Sequence, residues 1–289
     1  MQKGSTKKMV RPPQHQPRPG IESRMKPNPV FDYPELKGNN RLKNKVALIT
    51  GGDSGIGKAV AVLFAKEGAQ VAIAYLNEDK DAGDTKDYVE SKYGAECLLL
   101  KGDLSREKHC VSIVQKTMKH FGKLDILINN AAIHYENKTL QTLTSKELIK
   151  TFETNIFSFF WVTKAALEHM KRGACIINSS SVTAYRGSGG LIDYASTKGA
   201  IVAFTRSLSS NLAKKGIRVN GVAPGPIWTP LIPSSFKGKK AAQHGSDVPL
   251  QRAGEPVEIA PSYLFLACSD SSYMTGQFLH PNGGEIING

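Results

Sequence analysis

The fold is decided by Val46-Ala-Leu-Ile-Thr-Gly-Gly-Asp-Ser-Gly-Ile-Gly57, a short apolar run followed by a glycine-rich turn. The apolar run predicts a buried strand, and the residues after the turn predict an amphipathic helix. Gly51, Gly55 and Gly57 permit a tight turn and let the backbone approach a pyrophosphate, which would lie at the helix N-terminus. The stretch therefore predicts the first strand and helix of a dinucleotide-binding unit.

Further apolar runs alternate with helical patterns to the end of the chain. The predicted strands cover residues 71–75, 97–100, 124–128, 174–178, 217–222 and 277–280, and the predicted helices cover 105–121, 145–171, a segment that carries Tyr194 and runs to about 215, and 257–267. Continuous apolar strands separated by helices are typical of a parallel sheet covered on both faces. The sequence therefore predicts a single Rossmann-type, doubly wound α/β domain with a seven-stranded parallel sheet, whose ligands bind beyond the carboxyl ends of the strands.

Residues 1–40 are predicted to form a basic, proline-rich arm before the domain at 41–289. Residues 1–45 hold eleven Lys and Arg side chains against three acidic ones, so they carry +8 of the formal net charge of +13. Prolines fix φ and remove amide donors, so regular structure is not expected in the first twenty residues. The aromatic side chains of residues 29–36 are expected to pack onto the domain or onto a neighbouring subunit. Because the charge is concentrated in the arm and no groove-reading motif is present, no nucleic-acid partner is expected.

Composition argues against membrane and disulfide-stabilised proteins. No run approaches 18 apolar residues, and the N-terminus lacks the apolar stretch of a signal peptide, so no membrane association is expected. The four cysteines are Cys97, Cys110, Cys175 and Cys268, and none belongs to a C-x-x-C pair. They are expected to be reduced core thiols of a cytoplasmic protein, with no metal site.

A second stretch carries the chemistry, with Ser181, Tyr194 and Lys198 at offsets of 0, 13 and 17. Tyr194 and Lys198 share one face of a helix because they are four residues apart. A lysine ammonium near a phenol favours the phenolate, which lowers a pKa that is ordinarily about 10. Such a phenol can give a proton to an alkoxide or take one from an alcohol while Ser181 holds the same oxygen. This arrangement suits hydride transfer to or from a carbonyl.

The end of the second strand leaves the choice of cofactor open. A strict NAD binder usually has Asp or Glu there to bind the ribose 2′-hydroxyl. This chain instead has Tyr75, Leu76 and Asn77, and it has no arginine at 54 or 76 to bind a 2′-phosphate. Lys58 is either a ligand of that phosphate or an ordinary solvated lysine. Both NAD and NADP are therefore compatible with the sequence.

Six ordered motifs over residues 45–289 resemble those of the short-chain dehydrogenase/reductase family. They are Thr50-Gly-Gly-Asp-Ser-Gly-Ile-Gly57, Asp103-Leu104, Asn129-Asn-Ala-Ala132, Asn155, the trio of Ser181, Tyr194 and Lys198, and Pro224-Gly225. Tyr185 is a decoy, because Gly189 stands where the lysine would be. The arm, the 223–233 stretch and the C-terminal His280-Pro-Asn-Gly-Gly284 also resemble bacterial general stress oxidoreductases and plant glucose and ribitol dehydrogenase homologues. That subgroup implies a role in stress response and sugars, polyols or aldehydes as substrates.

The resemblance implies a role for each matched residue. Ser181 and Tyr194 would hydrogen-bond the substrate oxygen, and Lys198 would lower the pKa of Tyr194 and bind the nicotinamide ribose. Asn155 would hold a water that links Lys198 to solvent, or would only bend its helix. The cofactor would contact Gly51, Asp53, Ser54, Gly55, Ile56, Gly57, Tyr75, Leu76, Asn77, Asp103, Leu104, Asn130, Ala131, Ala132, Tyr194, Lys198, Pro224, Gly225, Ile227 and Thr229. The substrate would contact Ser181, Thr183, Tyr185, Tyr194 and Trp228 beneath a lid formed by residues 226–248.

Other side chains near the site have two interpretations. Ile227, Trp228, His134, Tyr135 and Tyr185 either wall the pocket or pack against a neighbouring subunit. Lys237, Lys239 and Lys240 either keep the lid soluble or favour an anionic substrate. A small apolar helix face is formed by Gly199, Ala200, Ala203, Phe204 and Leu208. In the family such a helix packs against its equal in a partner subunit, so a homotetramer or a homodimer is implied.

The predicted function is that of an NAD(P)-dependent oxidoreductase acting on small carbonyl or alcohol compounds without a metal. One alternative is a 3-oxoacyl carrier-protein reductase, since a basic surface suits an acidic carrier, but the positive charge lies in the arm and not around the site. Another alternative is a cofactor-binding stress or regulatory protein without turnover. A regulator would not need all four of Asn155, Ser181, Tyr194 and Lys198, so their presence argues against it.

Overall fold

The computed structural model describes residues 7–287, and its centre is a seven-stranded sheet. The strands are β1 (Val46–Thr50), β2 (Gln70–Tyr75), β3 (Cys97–Lys101), β4 (Ile126–Asn129), β5 (Cys175–Ser179), β6 (Arg218–Val222) and β7 (Phe278–Leu279). All neighbouring strands are parallel, in the order β3-β2-β1-β4-β5-β6-β7. The predicted doubly wound α/β fold is confirmed, and its crevice lies where the strand order reverses between β1 and β4.

The helices of the described residues largely follow the predicted pattern. They are α1 (Gly55–Lys66), α2 (Asp79–Tyr93), α3 (Glu107–Phe121), α4 (Ser145–Phe152), α5 (Ser158–Leu167), α6 (Thr183–Arg186), α7 (Ile192–Leu212), α8 (Leu231–Ser235), α9 (Lys239–Ala242) and α10 (Pro256–Ala267). The prediction of one helix over 145–171 is wrong, because a π-helical turn, Glu153–Phe157, divides it into α4 and α5. Helix α2, which is mostly polar, was not predicted from the sequence, and neither were the short helices α6, α8 and α9.

Helices cover both faces of the sheet because side chains alternate along each strand. In β1, Ala47 and Ile49 point into the core that contains α1 and α10. Leu48, between them, points into the opposite core, which contains α3 and α5. All five residues of β1 are buried, as expected for a central parallel strand.

The arm lies along the lid and extends to the first helix of the domain. Residues 7–20 contain no helix or strand, as predicted, and residues 1–6 lie outside the described part of the chain. The amides of Val10 and Gln16 donate to the carbonyls of Ala242 and Pro233, each at 2.9 Å. The backbone of the arm is therefore hydrogen-bonded to the backbone of α8 and α9, the helices within residues 226–248.

The aromatic segment at residues 29–36 packs onto the domain. Phe31 contacts Tyr88 of α2 edge to face, with ring centroids 5.1 Å apart. The hydroxyls of Tyr88 and Tyr93 both donate to the carboxylate of Asp32. The structure therefore places this segment on the surface of its own domain, which is one of the two predicted positions.

All four cysteines are buried, unpaired thiols. Burial raises the pKa of Cys97, Cys110 and Cys175 to about 12, so these side chains stay protonated. Between residues 7 and 287, no helix is both long enough and apolar enough to cross a membrane.

Candidate active site

A cavity of about 1510 Å³ opens at the carboxyl ends of the strands. It is larger than the roughly 1,000 Å³ upper range of ordinary small-molecule pockets. The predicted site residues that line it are Gly51, Asp53, Ser54, Gly55, Ile56, Tyr75, Leu76, Asp103, Leu104, Asn130, Ala131, Ala132, Ser181, Thr183, Tyr194, Lys198, Pro224, Gly225, Ile227 and Thr229. Gly57, Asn77, Asn155, Tyr185 and Trp228 do not line it.

The glycine turn has the shape expected of a phosphate cradle. A Cβ on Gly57 would lie 1.8 Å from the carbonyl oxygen of Gly51, so only glycine allows this approach of turn and helix. Gly51 has a φ of +64°, in the left-handed region that favours glycine. The hydroxyl of Thr50 accepts hydrogen bonds from the amides of Asn130 and Ala131, at 2.8 and 3.1 Å. These contacts tie the turn after β1 to the segment after β4, and the cradle fits a dinucleotide.

A carboxylate of the arm also reaches this turn. Glu22 accepts a hydrogen bond from the amide of Gly55 at 2.7 Å and forms an ion pair with Lys58 at 2.7 Å. Burial raises the pKa of Glu22, while the charge of Lys58 and the two hydrogen bonds lower it. Lys58 is therefore neither solvated nor directed at the ribose, because it is buried between Glu22 and the ring of Phe31. One amide at the positive end of α1 is occupied by the arm.

The ribose end of the cavity contains acidic groups. The hydroxyl of Tyr75 donates to Asp79 at 3.0 Å. Glu78, which the sequence analysis did not single out, lines the cavity directly after the predicted specificity position. Burial, together with the neighbouring charge of Glu78, raises the pKa of Asp53 to about 7. Asp103 is held at the same end by an ion pair with Lys150, at 2.9 Å.

Lys198 is buried beside Tyr194, one turn further along α7. Its side chain is 1% exposed, and its Nζ donates to the carbonyl of Ser179 at 2.7 Å. The same nitrogen lies 5.4 Å from the centre of the Tyr194 ring. Burial lowers the pKa of Lys198 to about 7, because a charged ammonium is poorly solvated there.

The structure does not show the expected lowering of the Tyr194 pKa by Lys198. Burial raises the pKa of Tyr194 to about 12, and the hydrogen bond with Ser181 is the contact that opposes this rise. The physical reason is that desolvation of the phenolate is the largest effect on Tyr194, while Lys198, with its own pKa lowered to about 7, is only partly charged at neutral pH. Ser181 is fixed by the amide of Thr183, which donates to its Oγ at 3.1 Å.

Asn155 lies in the π-helical turn and is completely buried. Its Oδ1 accepts from the amide of Ile133 and its Nδ2 donates to the carbonyl of Ile133, both at 2.8 Å. Nδ2 also donates to the hydroxyl of Thr197 at 3.2 Å. The side chain therefore fixes the segment after β4 to α7 within the catalytic region, a positioning role that motif spacing did not reveal.

The substrate end is formed by aromatic and polar side chains. His134 lines the cavity, with its ring 5.1 Å from that of Tyr194 and 5.3 Å from that of Phe236. Burial lowers the pKa of His134 to about 3, so the imidazole is neutral. Trp228 lies outside the cavity wall, where its indole donates to the carbonyl of Pro27 at 2.8 Å. Tyr185 also lies outside it and packs on His280, with ring centroids 4.7 Å apart.

The chain is similar in sequence and fold to several known proteins. The sequence model of a family described as enoyl-(acyl carrier protein) reductase matches residues 51–285. General stress protein 39 of Bacillus subtilis (strain 168) is 53% identical over 269 residues, covering 93% of this chain and 94% of that protein. Glucose and ribitol dehydrogenase of Daucus carota is 50% identical over 284 residues, covering 96% and 98%. A crystal structure of a short chain dehydrogenase from Burkholderia cenocepacia J2315 in complex with NADP is 30% identical, with a TM-score of 0.79, covering 84% of this chain and 98% of that one.

Proposed function

The chain belongs to the short-chain dehydrogenase/reductase family, as its motifs predicted, and is an NAD(P)-dependent oxidoreductase. From this premise we propose that it transfers a hydride between the nicotinamide and a small carbonyl or alcohol compound, with Tyr194 as proton donor and acceptor. The observation that carries this proposal is the convergence of Ser181, Tyr194 and Lys198 on one wall of a cavity that has a dinucleotide cradle at its other end. When bound, NAD or NADP supplies or accepts the hydride.

Each catalytic side chain has a distinct task in this proposal. Ser181 and Tyr194 hold the substrate oxygen, and Tyr194 donates its proton when a carbonyl is reduced. A pKa of about 12 suits the donor role, because the phenol is then protonated at neutral pH. Lys198 binds the ribose hydroxyls, and its protonation favours the phenolate that remains after proton transfer. Asn155 keeps the segment after β4 in place through both polar groups of the Ile133 backbone.

The substrate is proposed to carry hydrogen-bonding groups besides the reacting oxygen. Three residues that line the cavity each carry a buried polar atom with no hydrogen-bond partner among the described residues: Nδ1 of His134, Oγ1 of Thr183 and Nε2 of His244. Buried polar atoms without partners are costly, so a polar substrate that bonds to them would bind more tightly than an apolar one. Sugars, polyols and polar aldehydes have such groups, and the name of the carrot relative supports this choice.

We also propose that the protein is a cytoplasmic homodimer or homotetramer. Phe157, the last residue of the π-helical turn, and Phe160 on α5 are 44% and 51% exposed, and Phe160 packs on Phe204 of α7 with ring centroids 4.4 Å apart. Together with exposed Ala203 they form an apolar face that a second copy of the chain would cover. Four unpaired thiols support a reducing compartment. Light scattering of the parent and of Phe160→Glu tests the assembly, since the variant should dissociate.

The test of the activity is oxidation of NADH or NADPH, followed at 340 nm with a panel of aldehydes, ketones and sugars. Tyr194→Phe should lower turnover by about 10²- to 10⁴-fold while cofactor binding, measured by fluorescence, is retained. Tyr185→Phe is the matched control, because Tyr185 lies outside the cavity wall. The ratio of the two parent rates decides between NADH and NADPH. Equal turnover by Tyr194→Phe and the parent would exclude Tyr194 as the proton donor.

A further inference from the structure

The N-terminal arm contributes directly to the wall of the cavity. Arg18, Pro19 and Gly20 all line it. The arm is fixed here on both sides, since the amide of Gln16 donates to Pro233 and its Oε1 accepts from the amide of Ile21 at 2.8 Å. Gly20 packs so closely that an added Cβ would lie 2.3 Å from the carbonyl oxygen of Pro230. Arg18 is therefore carried by a well-anchored segment at the rim of the active site.

Arg18 differs from the other cationic side chains at this rim. Apart from the buried Lys198, each of the other lysines and arginines that line the cavity is paired with a carboxylate: the ion pairs are Lys7 with Asp247, Lys150 with Asp103, Arg186 with Glu285 and Lys240 with Glu136. Arg18 has no carboxylate partner among residues 7–287, and its guanidinium lies over the ring of Tyr135, 4.3 Å from the centroid. Stacking on an aromatic face orients the guanidinium and leaves its edge donors free.

Arg18 lies near the end of the cavity that contains Tyr194 and not near the adenine end. Tyr135 follows His134, and the His134 ring is in contact with the ring of Tyr194. The charge of Arg18 helps burial to lower the pKa of His134, so its field reaches the side chain beside the proton donor. Lys240, one of the lid lysines considered from the sequence for an anionic substrate, is already paired with Glu136.

We propose that Arg18 is a specificity-determining residue that binds a carboxylate or phosphate group on the carbonyl or alcohol substrate. The inference rests on the proposed function, because it places that anionic group in the same cavity as Tyr194. A guanidinium suits this task since its planar donors match the paired oxygens of a carboxylate or a phosphate. The enzyme would then prefer anionic sugars and ω-carboxy or phosphorylated aldehydes over the corresponding neutral compounds.

The kinetic test compares two aldehydes that differ by one phosphate group, D-glyceraldehyde 3-phosphate and D-glyceraldehyde. In Arg18→Gln, kcat/KM should fall about 10- to 100-fold for the phosphate ester, the size of a hydrogen bond to a charged group, and should change little for the neutral aldehyde. Arg18→Lys should keep part of the preference, because it keeps the charge but loses the planar fork. Arg24→Gln is the matched control, since Arg24 is an exposed arm arginine that does not line the cavity.

A binding test separates this inference from the proposed activity. Calorimetry with glycerol 3-phosphate and with glycerol is carried out on the protein saturated with NADPH, so that no hydride transfer can occur. Weaker binding of glycerol 3-phosphate to Arg18→Gln, by about tenfold or more, supports the inference even if no aldehyde is turned over, in which case only the proposed activity fails. Unchanged binding in Arg18→Gln overturns the inference. A similar loss of affinity for NADPH alone also overturns it, because Arg18 would then serve the cofactor.

Discussion

Replacing Lys198 with methionine is expected to stabilise the fold near neutral pH while removing a side chain that we propose to be catalytic. The Lys198 side chain is 1% exposed, and its Nζ makes one protein hydrogen bond, to the carbonyl of Ser179. Methionine has a similar length and carries no charge, so it fills the same space without the cost of removing an ammonium from water.

The magnitude follows from the pKa of Lys198, which burial lowers from 10.5 to about 7. Since one pKa unit is worth about 1.36 kcal/mol, this lowering opposes folding by on the order of 4 kcal/mol at pH 7. Losing the hydrogen bond to Ser179 offsets about 1 kcal/mol of that. We therefore expect the free energy of unfolding of Lys198→Met to exceed that of the parent by about 3 kcal/mol at pH 7.

The sign of the pH dependence is also fixed by this pKa. Between the folded-state pKa of about 7 and the unfolded-state value near 10.5, the unfolded chain binds a proton that the folded protein does not. The parent therefore gains stability as the pH rises through this range, and the cost is fully present below pH 7. The advantage of Lys198→Met should shrink to about zero by pH 10.

Urea denaturation of the parent and Lys198→Met at pH 7, 8, 9 and 10 measures this difference. Lys116→Met, on the exposed face of α3, is the control and should show no such trend. A stability difference that is the same at pH 7 and pH 10 would refute the reasoning, because Lys198 would then have an ordinary pKa in the folded protein.

Three further substitutions test other parts of the site. Glu22→Ala leaves the buried ammonium of Lys58 without its carboxylate, so the free energy of unfolding, measured in urea, should fall by about 3 kcal/mol. Asn155→Ala removes both bonds to the backbone of Ile133, so stability should fall by about 1–3 kcal/mol and the rate at 340 nm should fall as well. Glu78→Gln removes a negative charge at the ribose end, so the ratio of kcat/KM for NADPH over NADH should rise about fivefold.

Each of these predictions has either a second variant that isolates its cause or a result that would contradict it. The double substitution Glu22→Ala with Lys58→Met should recover most of the lost stability, and no recovery would mean that the ion pair is not the source. For Asn155→Ala, a parent-like melting temperature and rate would contradict the positioning role. For Glu78→Gln, the control is Asp84→Asn. Asp84 is an exposed residue of α2, so its substitution should leave the cofactor ratio unchanged.

The sequence predicted the features that depend on local pattern. Apolar runs placed all seven strands, because each strand is short and bounded by polar or glycine-rich turns. The offsets of Ser181, Tyr194 and Lys198 predicted their convergence, since a helix brings residues four apart onto one face and the parallel sheet brings strand ends together. The glycine turn was readable for the same reason, because its geometry depends on residues only a few positions apart.

The remaining features could not be predicted, because they depend on contacts between residues far apart in the sequence or on a balance of opposing free energies. The ion pair between Glu22 and Lys58 joins residues 36 positions apart, and nothing in either segment points to the other. Helix α2 escaped prediction because its sequence is too polar to show an apolar stripe. The raised pKa of Tyr194 reflects burial, which a motif that contains a lysine does not reveal.

The contacts of the arm also determine when this part of the structure can form during translation. Arg11 pairs with Glu255, which is synthesised 244 residues later. At about 5–20 residues per second, roughly 12–50 s separate the two residues on the ribosome. The arm therefore emerges well before this partner has been made. The rim of the cavity at Arg18 can therefore form only after Pro230 and Pro233 have been made, so a chain that ends before them lacks this part of the cleft.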